Sequence, residues 1–142
     1  MKTARRRARE AALQALYAWQ LSGSDPKEQA RTLEDVTKGD APFAEAILRG
    51  VTSRAAELEA LITPHLEREF SRLSPVERAI LYIGTFELQA HRETPFKVVI
   101  NEAVELGKSY GGAEGHRLVN GVLEKVAAAL RPEEVARERK IA

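Results

Sequence analysis

Four arginines in five positions, Arg5-Arg6-Arg7-Ala8-Arg9, are the clearest place in this 142-residue chain where residue type and spacing point to a chemistry. A guanidinium is a planar fork that matches a phosphate and also stacks on bases, so a helix-borne cluster of arginines suits RNA better than lysines would. With Lys2, the first nine residues hold five basic side chains and no acid, against a net charge of +1 for the whole chain. The rest of the molecule is therefore mildly acidic, and such asymmetry fits one surface meant for a polyanion. At about 100° per residue, Arg6 leads through Leu13 to Tyr17, which puts an aromatic ring on the flank continuous with the basic turns. Charge beside an aromatic platform is the usual means of holding single strands. A solvated, solubilising terminus fits the charge equally well.

Little else in the sequence offers chemistry. There is no cysteine, so disulfides, thiolate catalysis and sulfur-ligated zinc are excluded, and His65, His91 and His116 are too widely spaced to make a metal site legible. They read as surface or capping groups, with His116 alone near enough to the glycines to face a ligand. Gly111-Gly112-Ala113-Glu114-Gly115 is glycine-rich, but it follows a helix and lacks the strand and lysine of a phosphate-binding loop, so it reads as a helix terminator. No catalytic residues and no cofactor or metal site are expected. Asn101-Glu102 and Asn120 sit amid apolar residues on either side of the glycines. If partly buried they must hydrogen-bond, and a structural tie between the two helices is the expected role.

The elements that carry these residues are helical nearly throughout, with no period-2 alternation. The first helix is expected from about Thr3 to Leu21, with Ala8, Ala12, Ala15, Leu16 and Trp19 on its core stripe. Arg5 and Arg9 fall on or beside that stripe, so the first two turns are expected to project past the core. A weak polar helix is expected over Lys27 to Val36, and a long amphipathic one from about Pro42 to Ile62, with Phe43, Ile47, Val51, Ala55, Leu58 and Ile62 inward. Pro64 starts a short helix through Phe70. Ser74-Pro75-Val76-Glu77 joins a cap serine, a first-position proline and a glutamate three residues after the cap, and starts a helix ending near His91. Thr94-Pro95 opens a helix to Lys108, ended by Gly111-Gly112, and a last one runs from roughly Glu114 to Leu130. A charged tail, 133–142, closes the chain.

The length is about that of one ordinary domain, and 44% hydrophobic with 30% charged residues is enough to bury a core. The expectation is a single all-α domain over 1–142, with about seven helices in two small three-helix bundles, about 1–63 and 64–132, sharing one core. No apolar run is long enough for a membrane span, and the N-terminus lacks the apolar stretch of a signal peptide, so a cytoplasmic protein is expected.

Four ordered blocks carry a resemblance: Lys2 through Tyr17, Leu73-Ser74-Pro75-Val76-Glu77-Arg78-Ala79-Ile80-Leu81, Val99-Ile100-Asn101-Glu102-Ala103-Val104-Glu105-Leu106, and Val119-Asn120-Gly121-Val122-Leu123. Together they resemble the bacterial transcription antitermination factor NusB family, over nearly the whole chain from Lys2 to about Pro132. The resemblance implies an all-helical protein without catalytic activity that binds the boxA element of nascent ribosomal RNA together with the ribosomal protein NusE, within the RNA polymerase antitermination complex. It implies RNA contacts at Lys2, Arg5, Arg6, Arg9 and Tyr17, further contacts at Glu114 and Leu118, and a partner contact at Glu77. Leu118 stands where relatives often carry phenylalanine. Asn101 and Asn120 match motif positions too, and are still read as structural. Two other classes stay open: a helical domain related to that fused to ribosomal RNA methyltransferases, and a purely protein-binding adaptor. So does pairing of two copies through the first helix to form a homodimer.

Overall fold

The structure, a computed structural model, describes residues 2–25, 28 and 40–141. Local capping chemistry sets where its helices begin. Helix α1 (Ala4–Ser22) opens where the Thr3 side chain accepts the Arg6 backbone N–H at 3.0 Å, and closes on Gly23, whose φ of 67° is left-handed. These ends lie within a residue of those expected. Ala8, Ala11, Ala12, Ala15 and Leu16 are buried, while Trp19 is half-buried and meets the Tyr82 ring edge-on at 6.3 Å. The helix expected over Lys27 to Val36 lies outside the described residues, Glu28 excepted.

Helix α2 (Ala41–Ile62) buries Phe43, Ala44, Ile47, Leu48, Val51, Leu58 and Ile62. It is kinked at Arg54 (φ −121°), where Thr52 and Ser53 bond back to the Leu48 and Gly50 carbonyls and so compete with the helical ladder. Gly50 faces Phe86, and a Cβ there would stand 1.9 Å from the Phe86 ring carbon Cε1. The short helix expected over Pro64 to Phe70 does not form. Two 3₁₀ turns, Thr63–His65 and Phe70–Arg72, flank extended residues Leu66 and Glu69. The extended stretch drops Phe70 into the core, 5.2 Å from the Tyr82 ring, and that burial outweighs the weak preference for another helical turn.

Helix α3 (Pro75–Ala90) starts as expected, with the full capping box: Glu77 N–H to Ser74 Oγ at 3.1 Å and Ser74 N–H to Glu77 Oε1 at 3.0 Å. Every residue from Ala79 to Leu88 is buried, as befits a central helix covered on all sides. Helices α4 (Phe96–Tyr110) and α5 (Gly112–Leu130) pack against it, as do α1 and α2. Gly107 lets α4 and α5 approach, since a Cβ there would stand 2.9 Å from the His116 Cα. The glycine pair is a hinge: α5 begins directly at Gly112, two residues earlier than expected, at a φ of 75°.

The expected charged tail is instead a helix, α6 (Pro132–Ile141), with Val135 buried. Arg131 holds it. Its guanidinium is buried and donates to the carbonyls of Glu87, Leu88, His91 and Thr94, satisfying the open end of α3. Glu134 in turn accepts from Arg131 and from the Phe96 N–H, the latter at 2.8 Å, so α6 caps the start of α4, whose own N-cap side chain makes no such bond. The described residues contain no strand, and no helix among them is long and apolar enough to cross a membrane.

Candidate nucleic-acid interface

Because α1 begins at Ala4, all four arginines lie in its first two turns, but the fold gives them four different environments. Arg9 overturns one expectation. Its projection onto the core stripe is right, yet the helix does not run past the core; the side chain is buried, 3% exposed. Nε and Nη2 donate to the two oxygens of Glu87 at 2.8 and 2.7 Å, and the guanidinium lies over the Phe43 ring at 5.0 Å. Burial alone would push the Glu87 carboxyl up, but the hydrogen bonds and charge of Arg9 hold it below the ordinary carboxylate range. A carboxylate contributed 78 positions along the chain thus makes a polar core position out of what looked like an overhang.

Arg6 is half-buried. Its Nη2 lies 2.6 Å from Glu102 Oε2, with Nε at 3.2 and 3.3 Å from the two oxygens, and the hydrogen bonds to Glu102 raise its already high pKa. Arg5 is exposed, 3.5 Å from Asp40 and 4.5 Å above the Phe43 ring. Lys2 pairs with Glu10 at 2.8 Å. Arg7 is different. It is exposed, and among the described residues it has no carboxylate within ion-pair distance.

Tyr17 is 42% exposed. Spacings of seven and three place Arg7, Gln14 and Tyr17 on one outward stripe of α1, and all three are exposed. Tyr110 adds a second exposed ring, 39% accessible, whose hydroxyl donates to Glu10 Oε2 at 2.7 Å. That bond raises the Tyr110 pKa; Glu10 is itself raised by burial but more strongly lowered by its bonds from Lys2 and Tyr110. It also fastens the end of α4 to α1, which brings the glycine hinge beside the basic head. Beyond the hinge, Glu114 is exposed and 3.6 Å from Arg117, while Leu118 is half-buried against the core. Arg7 belongs to the cluster read from the sequence but is not among the contacts expected individually, and Tyr110 was not read from the sequence at all. Arg7 carried the same signal as its neighbours, and nothing local joins Tyr110 to Glu10.

Glu77 is held apart from this surface. Gln20, near the far end of α1, donates to the Pro75 carbonyl at 2.9 Å and accepts from Arg78 at 2.8 Å. Fourteen residues of helix separate Gln20 from Arg6, about 21 Å at 1.5 Å per residue. Asn101 and Asn120 are corrected as well: both are exposed, neither side chain has a hydrogen-bond partner among the described residues, and they do not tie the helices together. They share their helix faces with the exposed Val98, Arg117 and Glu124, and they line a cleft of about 310 Å³ between α4, α5 and α6.

The model of the NusB family matches residues 6–128. The transcription antitermination protein NusB of Dechloromonas aromatica (strain RCB) is 51% identical over 138 residues, covering 95% of this chain and 85% of that protein. Its counterpart from Burkholderia ambifaria (strain MC40-6) is 51% identical over 141 residues, 97% of each. Among solved structures, T. maritima NusB superposes with a TM-score of 0.79 at 31% identity over all of both chains. A crystal structure of the antitermination factors NusB and NusE in complex with dsRNA gives 0.80 at 28% identity, over 91% of this chain and 99% of that one. With a family match from the arginine cluster through most of α5, and an all-helical fold shared over its full length, this chain belongs to the NusB family.

Proposed function

We propose that this chain is a non-enzymatic RNA-binding factor for transcription antitermination, which binds boxA-type RNA together with NusE and works in the cytoplasm within the RNA polymerase antitermination complex. The observation that carries the reading is the exposed stripe of α1. Arg7, exposed and without a carboxylate partner among the described residues, and an exposed Tyr17 supply a phosphate contact and a stacking platform on one rigid helix. Lys2, Arg5 and Arg6 add charge around it, and Glu114 and Leu118 border it across the hinge. Arg9 serves from inside, by fixing α1 against α3. Glu77, at the opposite end of α1, is the contact for the protein partner, so RNA and NusE occupy separate ends of the molecule.

The test is fluorescence anisotropy with a boxA-containing single strand, its scrambled version and its duplex, with and without NusE, over a series of salt concentrations. Preference for the boxA strand, sharpened by NusE and weakened by salt, is expected. Equal affinity for the three nucleic acids would leave only non-specific charge. Sedimentation of the free protein and of the RNA complex tests pairing through α1, because a dimer hiding this stripe must dissociate when RNA binds.

A further inference from the structure

Two guanidiniums and two carboxylates meet where α1 crosses α3 and α4, and they are not equivalent. Glu87, 1% exposed, is fully taken up by Arg9. Glu102 is shared: it grips the Nε–Nη2 edge of Arg6, and it also lies 3.5 Å from Arg9 Nη1. The Glu102 side chain is 14% exposed and that of Arg6 is 40% exposed, so one end of the pair faces solvent. Glu10 and Glu105 line the same small cleft.

We propose that Glu102 is an internal counter-anion for Arg6: in the free protein it holds the edge of the guanidinium that an RNA phosphate would otherwise take, and it thereby sets the RNA affinity of the basic head. This rests on the RNA-binding function proposed above. The same fork cannot serve a carboxylate and a phosphate side-on at once. Release is feasible because Glu102 keeps Arg9 as a neighbour when Arg6 swings out, so no buried charge is orphaned. Arg9 has no such freedom, since both oxygens of Glu87 hold it below the surface. Of the two arginines held by Glu87 and Glu102, Arg6 is the one that can exchange partners. The benefit is restraint, because neutralising one arginine lowers attraction to any polyanion and leaves recognition to contacts that read bases.

The experiment measures affinity of the full chain for a boxA-containing strand and a scrambled strand of the same length, in wild type, Glu102→Gln, Glu105→Gln, Arg6→Ala and the Arg6→Ala/Glu102→Gln double variant. Glutamine can still accept from Arg6, and Arg9 keeps Glu87, so melting temperatures should stay close and are measured alongside. Glu102→Gln is expected to bind both strands about two- to fivefold more tightly at low salt, the size of an exposed ion pair that no longer needs breaking. The gain should vanish in the Arg6→Ala background and be smaller for Glu105→Gln, which has no hydrogen bond to Arg6. Unchanged or weaker binding by Glu102→Gln, an equal gain from Glu105→Gln, or a gain that survives without Arg6 would each overturn the proposal while leaving the RNA function intact. If wild type binds neither strand at low salt, the RNA function fails, and this proposal with it.

Discussion

Replacing Arg9 with methionine separates a residue that touches RNA from one that holds the fold. Methionine keeps most of the volume and the helix propensity, so what is lost is the cation. Glu87 would then be a carboxylate with 1% exposure and no guanidinium, and removing one partner of a buried pair typically costs about 3–5 kcal/mol. For a chain of this size that is a fall in Tm of about 10–20 °C. The pH dependence follows from the sign of the Glu87 shift. In the wild type its folded pKa is depressed, so the pair stabilises above the ordinary carboxylate pKa and that contribution is lost as pH falls through the folded value. In Arg9→Met the carboxyl keeps only His91 Nδ1, 4.0 Å away, against the burial that pushes it up, which favours the neutral form. The variant therefore loses least at low pH: the gap to wild type should narrow first as the pH falls through the variant's raised carboxyl pKa, and further below about 4.3, the unfolded glutamate value, where the wild-type pair is lost. Urea titrations followed by circular dichroism at pH 7 and at pH 3.5 measure both quantities. A stability loss under about 1 kcal/mol at pH 7, or a gap that does not close on acidification, would refute the buried-pair account. Loss of RNA affinity in a variant of undiminished stability would return Arg9 to the RNA surface.

The exposed arginines behave differently: Arg5→Ala and Arg7→Ala should leave folding intact and together reduce the log–log salt slope of RNA binding by about 1.4, at ~0.7 per contact on a single strand, and an unchanged slope would place the phosphates elsewhere. Tyr17→Ala should weaken binding by about 1–3 kcal/mol at every salt concentration, with Tm preserved because the ring is 42% exposed; a fall in Tm without loss of affinity would assign the ring to the core. Glu77→Gln retains the cap contact to Ser74 but loses the charge, so calorimetric titration with NusE should show weaker binding, and Glu77→Lys weaker still; equal affinities would leave Glu77 as a cap alone. Residues on both sides of Thr63-Pro64 share one apolar cluster, so differential scanning calorimetry should give a single transition with matching calorimetric and van't Hoff enthalpies, and two resolved transitions would contradict a common core.

What could be read from the sequence was whatever a few neighbouring residues decide. The span of α1 from about Thr3 to Leu21, the Ser74 and Glu77 exchange and the apolar stripes of α1 and α2 are all local, because capping and amphipathic spacing act within one or two turns. The same reasoning put Arg9 on the core stripe, which is where it lies. Its consequence came out wrong because Glu87 and Glu102 approach from 78 and 93 positions away, and no local pattern records that two carboxylates will be there to receive a guanidinium. The linker after α2 and the last ten residues were misread for the same reason. Phe70 leaves the helical path to reach Tyr82, and α6 forms because Arg131 and Glu134 find open backbone groups at the ends of α3 and α4. Only the tertiary structure decided which charges of the basic head remain free. That depends on how many carboxylates come within hydrogen-bonding distance of each guanidinium, a property of helices brought together from distant parts of the chain.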